Sequence, residues 1–227
     1  MHKFKKALTL AVATSVLGAA VPALGQEVKL GFLMDMTGGI ESLAPAILAG
    51  GELAVAHINA QGGILDGGEL VAVVADSGCD ATMGGNGADR LVNTDEVTAI
   101  VGALCTPATI GGANTAAIAG NTIMISPATT AASVSQMDDN DLIFRTTPSD
   151  AFQSVKLADL LLSKGINEVA VTYVNNDYGS GLANDFTAHY EANGGTVAVS
   201  LDHEDGRADY RAELGSLDAS GAMDLLV

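Results

Sequence analysis

The sequence predicts an α/β protein built as two lobes, each a doubly wound and mostly parallel sheet. Three observations carry this reading. Short apolar runs with strand character alternate strictly with segments of helical periodicity. The best of these runs are nearly continuous, as in strands that helices cover on both faces. The pattern also closes near Arg145 and begins afresh at Ser149, which divides the mature chain into residues 26–146 and 147–227.

The elements follow in order. Glu27 to Met34 reads as the first strand. Pro45, whose fixed φ suits a first helical turn, opens a helix in which Ile47, Leu48, Val55 and Ile58 recur at helical spacing. Gly62-Gly63 and Gly67-Gly68 bracket a tight turn, and Glu69 to Ala75 is the second strand. A helix through Leu91 follows, its start weakened by Gly84, Gly85 and Gly87, because each glycine in a helix costs about 1 kcal/mol relative to alanine. Val97 to Val101 is the third strand, Thr106 to Ala119 the third helix, and Thr122 to Ile125 the fourth strand.

In the second unit Ser149 is an N-cap, Phe152, Val155, Leu161 and Leu162 form an apolar face, and Lys164-Gly165 end the helix. Glu168 to Val174 is a strand, Tyr178 to Ala192 a helix closed by Asn193-Gly194-Gly195, Thr196 to Leu201 a strand and Tyr210 to Leu217 a helix. Asp224 to Val227 starts a strand that the chain does not complete. The second lobe is therefore expected to be incomplete here, and the natural chain to continue past Val227.

Residues 1–25 have the three parts of a cleavable secretory signal: a basic start with Lys3, Lys5 and Lys6, an apolar run from Ala7 to Val21, and Pro22-Ala23-Leu24-Gly25 before Gln26. The run is short for a transmembrane helix and no cysteine follows it closely, so a soluble exported protein is expected. Loss of the leader removes three lysines and no acidic residue, which takes the formal charge from −17 to −20. Such a field disfavours nucleic acid and anionic membrane surfaces as partners. Two cysteines, Cys79 and Cys105, remain in the mature part. An even count in an exported chain favours a disulfide over a metal site or a nucleophile.

Two hydroxyl-rich turns carry the binding chemistry. Ala103 to Thr109 and Ile125 to Thr130 each follow an apolar strand-like run directly, and strand ends of an open parallel sheet are where ligands dock. Neither turn holds an acid, a base or a metal-ligand set, so the turns are suited to holding a molecule and not to transforming it. His57, His189 and His203 are scattered, and none has a second histidine or cysteine at metal-ligand spacing. The Asp202-His203-Glu204-Asp205 run fits a solvated loop. Gly179-Ser180-Gly181 is not a hydrolase elbow, and Gly84-Gly85-Asn86-Gly87 is not a dinucleotide fingerprint. Arg145 reads as a structural residue forming a salt bridge at the hinge.

Six segments taken in order resemble one family: Ile58-Asn59-Ala60-Gln61-Gly62-Gly63-Ile64, Asp76 to Asp80, Gly102 to Cys105, Ile125 to Ala128, Arg145 to Asp150, and Asp177 to Gly181. With them the chain resembles the type I periplasmic solute-binding proteins of ABC transporters, in the branched-chain amino-acid-binding group, over Val28 to Val227. The resemblance implies two α/β lobes that close on a ligand, a Cys79–Cys105 disulfide, a membrane permease as partner, periplasmic location and no cofactor. It also implies that Thr106, Ala128, Thr130 and Tyr178 hold the ligand's charged groups, with Leu43 lining the side-chain pocket where the family often has an aromatic residue. The family's acid for the ligand's ammonium falls past Val227. Two alternatives predict different behaviour: a sensory receptor domain of the same fold, and an α/β hydrolase using Ser126 or Ser180.

Overall fold

A computed structural model describes residues 27–226; the expected leader, residues 1–25, lies outside the described residues. Two parallel sheets organise the chain. The first contains β1 (Val28–Met34), β2 (Leu70–Asp76), β3 (Ala99–Gly102), β4 (Ile123–Ser126) and β5 (Ile143–Arg145) in the order β2-β1-β3-β4-β5. The second contains β6 (Glu168–Val174), β7 (Thr196–His203) and β8 (Leu225–Leu226) in the order β7-β6-β8. Every strand pair is parallel. We call the first sheet with its helices lobe one and the second lobe two.

The helices are α1 (Ala44–Ala60), α2 (Ala81–Asp89), α3 (Thr106–Gly112), α4 (Asp150–Ser163), α5 (Asp177–Ala192) and α6 (Arg211–Ala219). Among the described residues, no helix is long and apolar enough to cross a membrane. Helices α2 and α3 each run on into a π-helical turn, Arg90–Thr94 and Ala113–Ala117. In lobe one the strand order reverses at β1, because β2 is added on one side of it and β3 on the other. Connections leave the ends of β1 and β3 in opposite directions, and the crevice between them is the ligand-binding position of open α/β sheets.

Side chains on the two faces of the first sheet enter separate cores. Leu33, Leu91, Ile100 and Met124 are fully buried on the α2–α3 side. Phe32, Met34 and Leu70 lie under α1, packed by Ile47, Leu48 and Ile58. The Asn59 amide, part of the Ile58 to Ile64 segment, donates to the Leu70 carbonyl at 2.8 Å and accepts from the Leu70 N–H at 2.9 Å. That pair of bonds fixes the end of α1 to the start of β2.

Three local readings change. The strand β5 and a 3₁₀ turn at Ala132–Gln136 have no periodic signature; β5 is a three-residue strand defined by pairing, with Phe144 opposite Ile125. Phe152 does not join the apolar face of α4. It is 72% exposed, because α4 turns Asp150, Ser154 and Ala158 inward against α5 and leaves a residue two past Asp150 facing out. The glycines of α2 do not weaken its start either. The Asp80 carboxylate caps the Met83 N–H at 2.9 Å, and the glycines permit close helix packing. A Cβ on Gly84 would lie 2.5 Å from the Ala108 carbonyl oxygen, and one on Gly111 of α3 would lie 2.0 Å from the Ala81 carbonyl oxygen. Helix propensity yields here to interhelical contact.

This contact gives a direct test. Gly111→Ala should force α2 and α3 apart and destabilise the protein by about 2 kcal/mol or more in urea unfolding. An unchanged midpoint would refute the packing account.

Candidate functional site

A single buried carboxylate organises the ends of three strands. Asp35 follows β1 at the point where the strand order reverses and is wholly buried. Its Oδ1 accepts from the Cys79 N–H after β2 at 2.7 Å; its Oδ2 accepts from the Leu104 and Cys105 N–H groups after β3 at 2.7 and 3.2 Å. The loops so held are also joined by the Cys79–Cys105 disulfide, with a Cα–Cα distance of 5.1 Å. Closing its 26-residue separation stabilises the fold by about 3.5 kcal/mol on the chain-entropy account. Asp35 gave no sequence signal, because a lone aspartate after a strand looks like any turn residue.

At the end of β2 a second carboxylate, Asp76, orders the loop after β1. Asp76 accepts from the Met36, Thr37 and Gly78 N–H groups and from the Thr37 hydroxyl at 2.7 Å. Burial works to raise its pKa, but the Thr37 hydroxyl and those N–H groups together hold it below the usual carboxylate value.

The two hydroxyl turns are tied to one another. Ser126, fully buried, donates its hydroxyl to the Ala103 carbonyl and accepts from the Thr129 N–H at 2.9 Å. Its role is to hold the turn, which leaves it neither exposed nor activated as a nucleophile. Thr106 is the first residue of α3, with Cys105 as N-cap, and its hydroxyl pairs with that of Thr129 at 3.0 Å. The first N–H groups of a helix have no partner in the preceding turn, so this end of α3 presents donors and the positive end of the helix dipole. Glycine is required one step earlier: Gly102 has φ +131°, and a Cβ there would lie 1.9 Å from the Leu33 carbonyl oxygen.

Thr130 links the lobes. Its carbonyl accepts from the Asp150 N–H at 2.8 Å and from the Arg145 guanidinium at 2.9 Å. Arg145 also donates to the Ala131 carbonyl at 2.7 Å and to the Ser135 hydroxyl. It is thus structural, but it braces carbonyls and makes no salt bridge among the described residues. Burial, with Asp185 of α5 adding to it, pushes the Asp150 carboxyl above the usual range; Thr130 and Arg145 pull it part of the way back. The Oδ2 atoms of Asp150 and Asp185 are both buried without a hydrogen-bond partner among the described residues.

Across from these turns stands α5. Asn176 caps it by accepting from the Tyr178 and Gly179 N–H groups, both at 3.0 Å. Burial and the nearby Asp150 charge push the Tyr178 phenol up, which keeps it a neutral hydrogen-bonding group. Gly181 of α5 stands against Ala131 of lobe one, an added Cβ falling 4.0 Å from the Ala131 side chain. Between the lobes lies a cleft of about 450 Å³. Leu43, Thr106, Ala128 and Thr130 line it from lobe one and Tyr178 from lobe two, so all five residues singled out in the sequence share one cavity with the Cys79–Cys105 disulfide. Leu104, Asn176 and Asp205 line it too, without having been singled out as site residues. A second cavity, of about 270 Å³, lies within lobe two behind Tyr178 and includes no residue of lobe one.

Comparison with known proteins agrees with this architecture. Residues 27–227 match the periplasmic binding protein family. An amino acid binding protein of Pseudomonas aeruginosa is 30% identical over 96% of this chain and 58% of its own length. The Leu/Ile/Val-binding protein of Escherichia coli is 33% identical over 71% of this chain and 43% of its own. The substrate binding protein LivJ from Streptococcus pneumoniae, solved in complex with isoleucine, superposes with a TM-score of 0.72 at 26% identity, over 85% of this chain and 54% of that one. The chain spans about half the length of the relatives it matches.

Two tests follow from the carboxylates. Asp35→Ala leaves three N–H groups unpaired, that of Leu104 buried and those of Cys79 and Cys105 partly so, and should cost about 3 to 5 kcal/mol in denaturant unfolding. Asp35→Asn, which keeps one acceptor, should cost less, and equal losses would contradict the hydrogen-bond account. Asp76, with its lowered folded pKa, stabilises the protein above the ordinary value of 3.8 and loses that contribution as pH falls through the folded value. Asp150, with its raised pKa, contributes below 3.8 and loses that contribution as pH rises. At pH 7 Asp76→Asn should therefore lower the thermal midpoint, and Asp150→Asn should preserve or raise it. A fall of similar size in both would contradict the assignment.

Proposed function

The chain belongs to the periplasmic binding protein family, and we propose that it is the substrate-capturing component of an ABC importer. Its ligand is a branched-chain or other small hydrophobic amino acid, or a related carboxylate or amide, taken up in the periplasm and delivered to a membrane permease. The observation that carries this reading is the convergence of Leu43, Thr106, Ala128 and Thr130 from one lobe and Tyr178 from the other on a single cleft. Its volume falls within the usual range for small-molecule sites.

The chemistry of the two walls divides the work. The start of α3 at Thr106 offers N–H donors to a carboxylate, with the helix dipole adding to the attraction, while Ala128, whose N–H donates to the Ser126 hydroxyl at 3.3 Å, offers its backbone carbonyl to the cleft. Leu43 and Leu104 give an apolar surface for a side chain. Tyr178 covers the ligand from lobe two, and the Thr130–Asp150 contact joins the two walls at the hinge between residues 146 and 147. A ligand that touches both walls binds the closed arrangement more tightly and shifts the population toward it. Energy for transport comes from the partner ATPase, and this chain binds no nucleotide. Identity at about the 30% level to proteins named for leucine, isoleucine and valine supports the ligand class.

Titration calorimetry and thermal melts with leucine, isoleucine, valine and their deaminated acids test the reading. At least one should raise the melting midpoint, and Thr106→Ala or Tyr178→Ala should weaken its binding by about 10- to 100-fold, or about 1.4 to 2.8 kcal/mol. No stabilisation by any of them would sink the ligand class.

A further inference from the structure

Asp150, the first residue of α4, lies at the joint between the lobes with 2% of its surface exposed. Its N–H is anchored on the Thr130 carbonyl at 2.8 Å, while its Oδ2 is buried with no hydrogen-bond partner among the described residues. One turn further along α4, Ser154 donates to the Leu182 carbonyl of α5 at 3.4 Å. Asp185 stands a turn past Leu182, and its Oδ2 is likewise buried and unpartnered among the described residues. Neither aspartate forms an ion pair there. A buried carboxylate with an unanswered oxygen is costly, and a proton relieves that cost because the neutral acid has no charge to desolvate.

The charged and titratable groups that act on Asp150 come from two elements packed near it. Arg145 of β5 favours its ionisation, but the guanidinium is committed to the Thr130 and Ala131 carbonyls and to the Ser135 hydroxyl. Asp185 of α5 opposes that ionisation, and the Asp150 charge in turn reaches the Tyr178 phenol of the same helix. The turn from Pro127 to Ala131, which receives the Asp150 N–H, contains no titratable side chain.

Both walls of the cleft therefore border on this one group. Thr130 lines the cleft from lobe one and Tyr178 from lobe two, and each is a neighbour of Asp150. A ligand carboxylate entering between them brings a second negative charge toward a buried one, where repulsion is less screened than in bulk water. Neutral Asp150 does not oppose it.

We propose that Asp150, opposed by Asp185, is a proton-binding site coupled to the cleft, so that capture of a ligand carboxylate draws a proton onto Asp150 and binding tightens as the pH falls. This rests on the binding function proposed above. The step is a protonation alone: the proton comes from the buffer and adds to the unpartnered Oδ2, no covalent bond of the ligand changes, and release of the ligand returns the proton. The sign follows from repulsion. A bound anion makes Asp150 harder to ionise than it is in the free protein, so affinity falls as pH rises between the free and bound values.

Titration calorimetry of the intact exported protein with leucine, isoleucine and valine, in two buffers of different ionisation enthalpy, counts the protons taken up on binding. The wild type should take up part of a proton and bind about three- to tenfold more tightly at about pH 5 than at about pH 8. Asp150→Asn should take up none and bind equally at both. Asp185→Asn should keep the coupling but move it to lower pH, because the like charge that opposes ionisation of Asp150 is gone. Wild-type binding without proton uptake overturns the inference, whether or not the variants fold. So does uptake that persists in Asp150→Asn, and so does a pH profile that Asp185→Asn leaves in place. Binding of none of the three by the wild type overturns the underlying binding function instead.

Discussion

The arrangement of the cleft depends on the Asp35 carboxylate. A parallel sheet leaves the loops at its carboxyl edge with N–H groups that no strand pairs, and a buried N–H without a partner is costly. Asp35 stands where the strand order reverses and answers loops on both sides, one through each oxygen. Its own burial is tolerable because both of its oxygens accept hydrogen bonds from those N–H groups. The disulfide then covalently fixes the loops that the carboxylate has already brought together. With them fixed, Ala103 offers its carbonyl to Ser126, Ser126 orders the next turn, and Thr129 meets Thr106. One side chain thus sets the position of donors that lie two strands away.

The second dependence runs between the lobes. Thr130 belongs to a turn of lobe one, yet its carbonyl accepts from the N–H of Asp150, the first residue of α4. Arg145 fixes the same turn by binding two successive carbonyls, a use suited to a guanidinium with several donors in one plane. Tyr178 on α5 feels the Asp150 charge, and Asp150 in turn feels that of Asp185. The residues at the hinge are consequently coupled by polar contacts and not by an apolar interface. Polar contacts of that kind depend on a few directed partners and not on a buried apolar area.

Much of the fold was legible because alternating apolar runs and helical spacing are local signals. Strands β1 to β4 and helices α1 to α5 fall within a few residues of where the pattern places them. Capping residues were equally readable: Ser149 caps α4, and Gly165, at φ +76°, follows its end. Where the reading failed, a distant partner decided. Strand β5 exists because β4 pairs with it, Phe152 is exposed because α5 covers the other side of α4, and Gly84 is tolerated because α3 lies against it. The expected salt bridge of Arg145 became a pair of carbonyl contacts for the same reason.

By itself, the sequence determined the order of elements, the parallel architecture, the two hydroxyl turns and the pairing available to its two cysteines. Each of these follows from residue type and spacing along the chain. Tertiary structure alone decided that Asp35 is the organising carboxylate, that Ser126 holds its turn in place, and that Asp150 is buried at the joint between the lobes. Those outcomes depend on which groups meet after folding, across separations of tens of residues. A solvated aspartate and a buried or cleft-facing one are identical in sequence; only the surrounding donors, charges and available space give each its role.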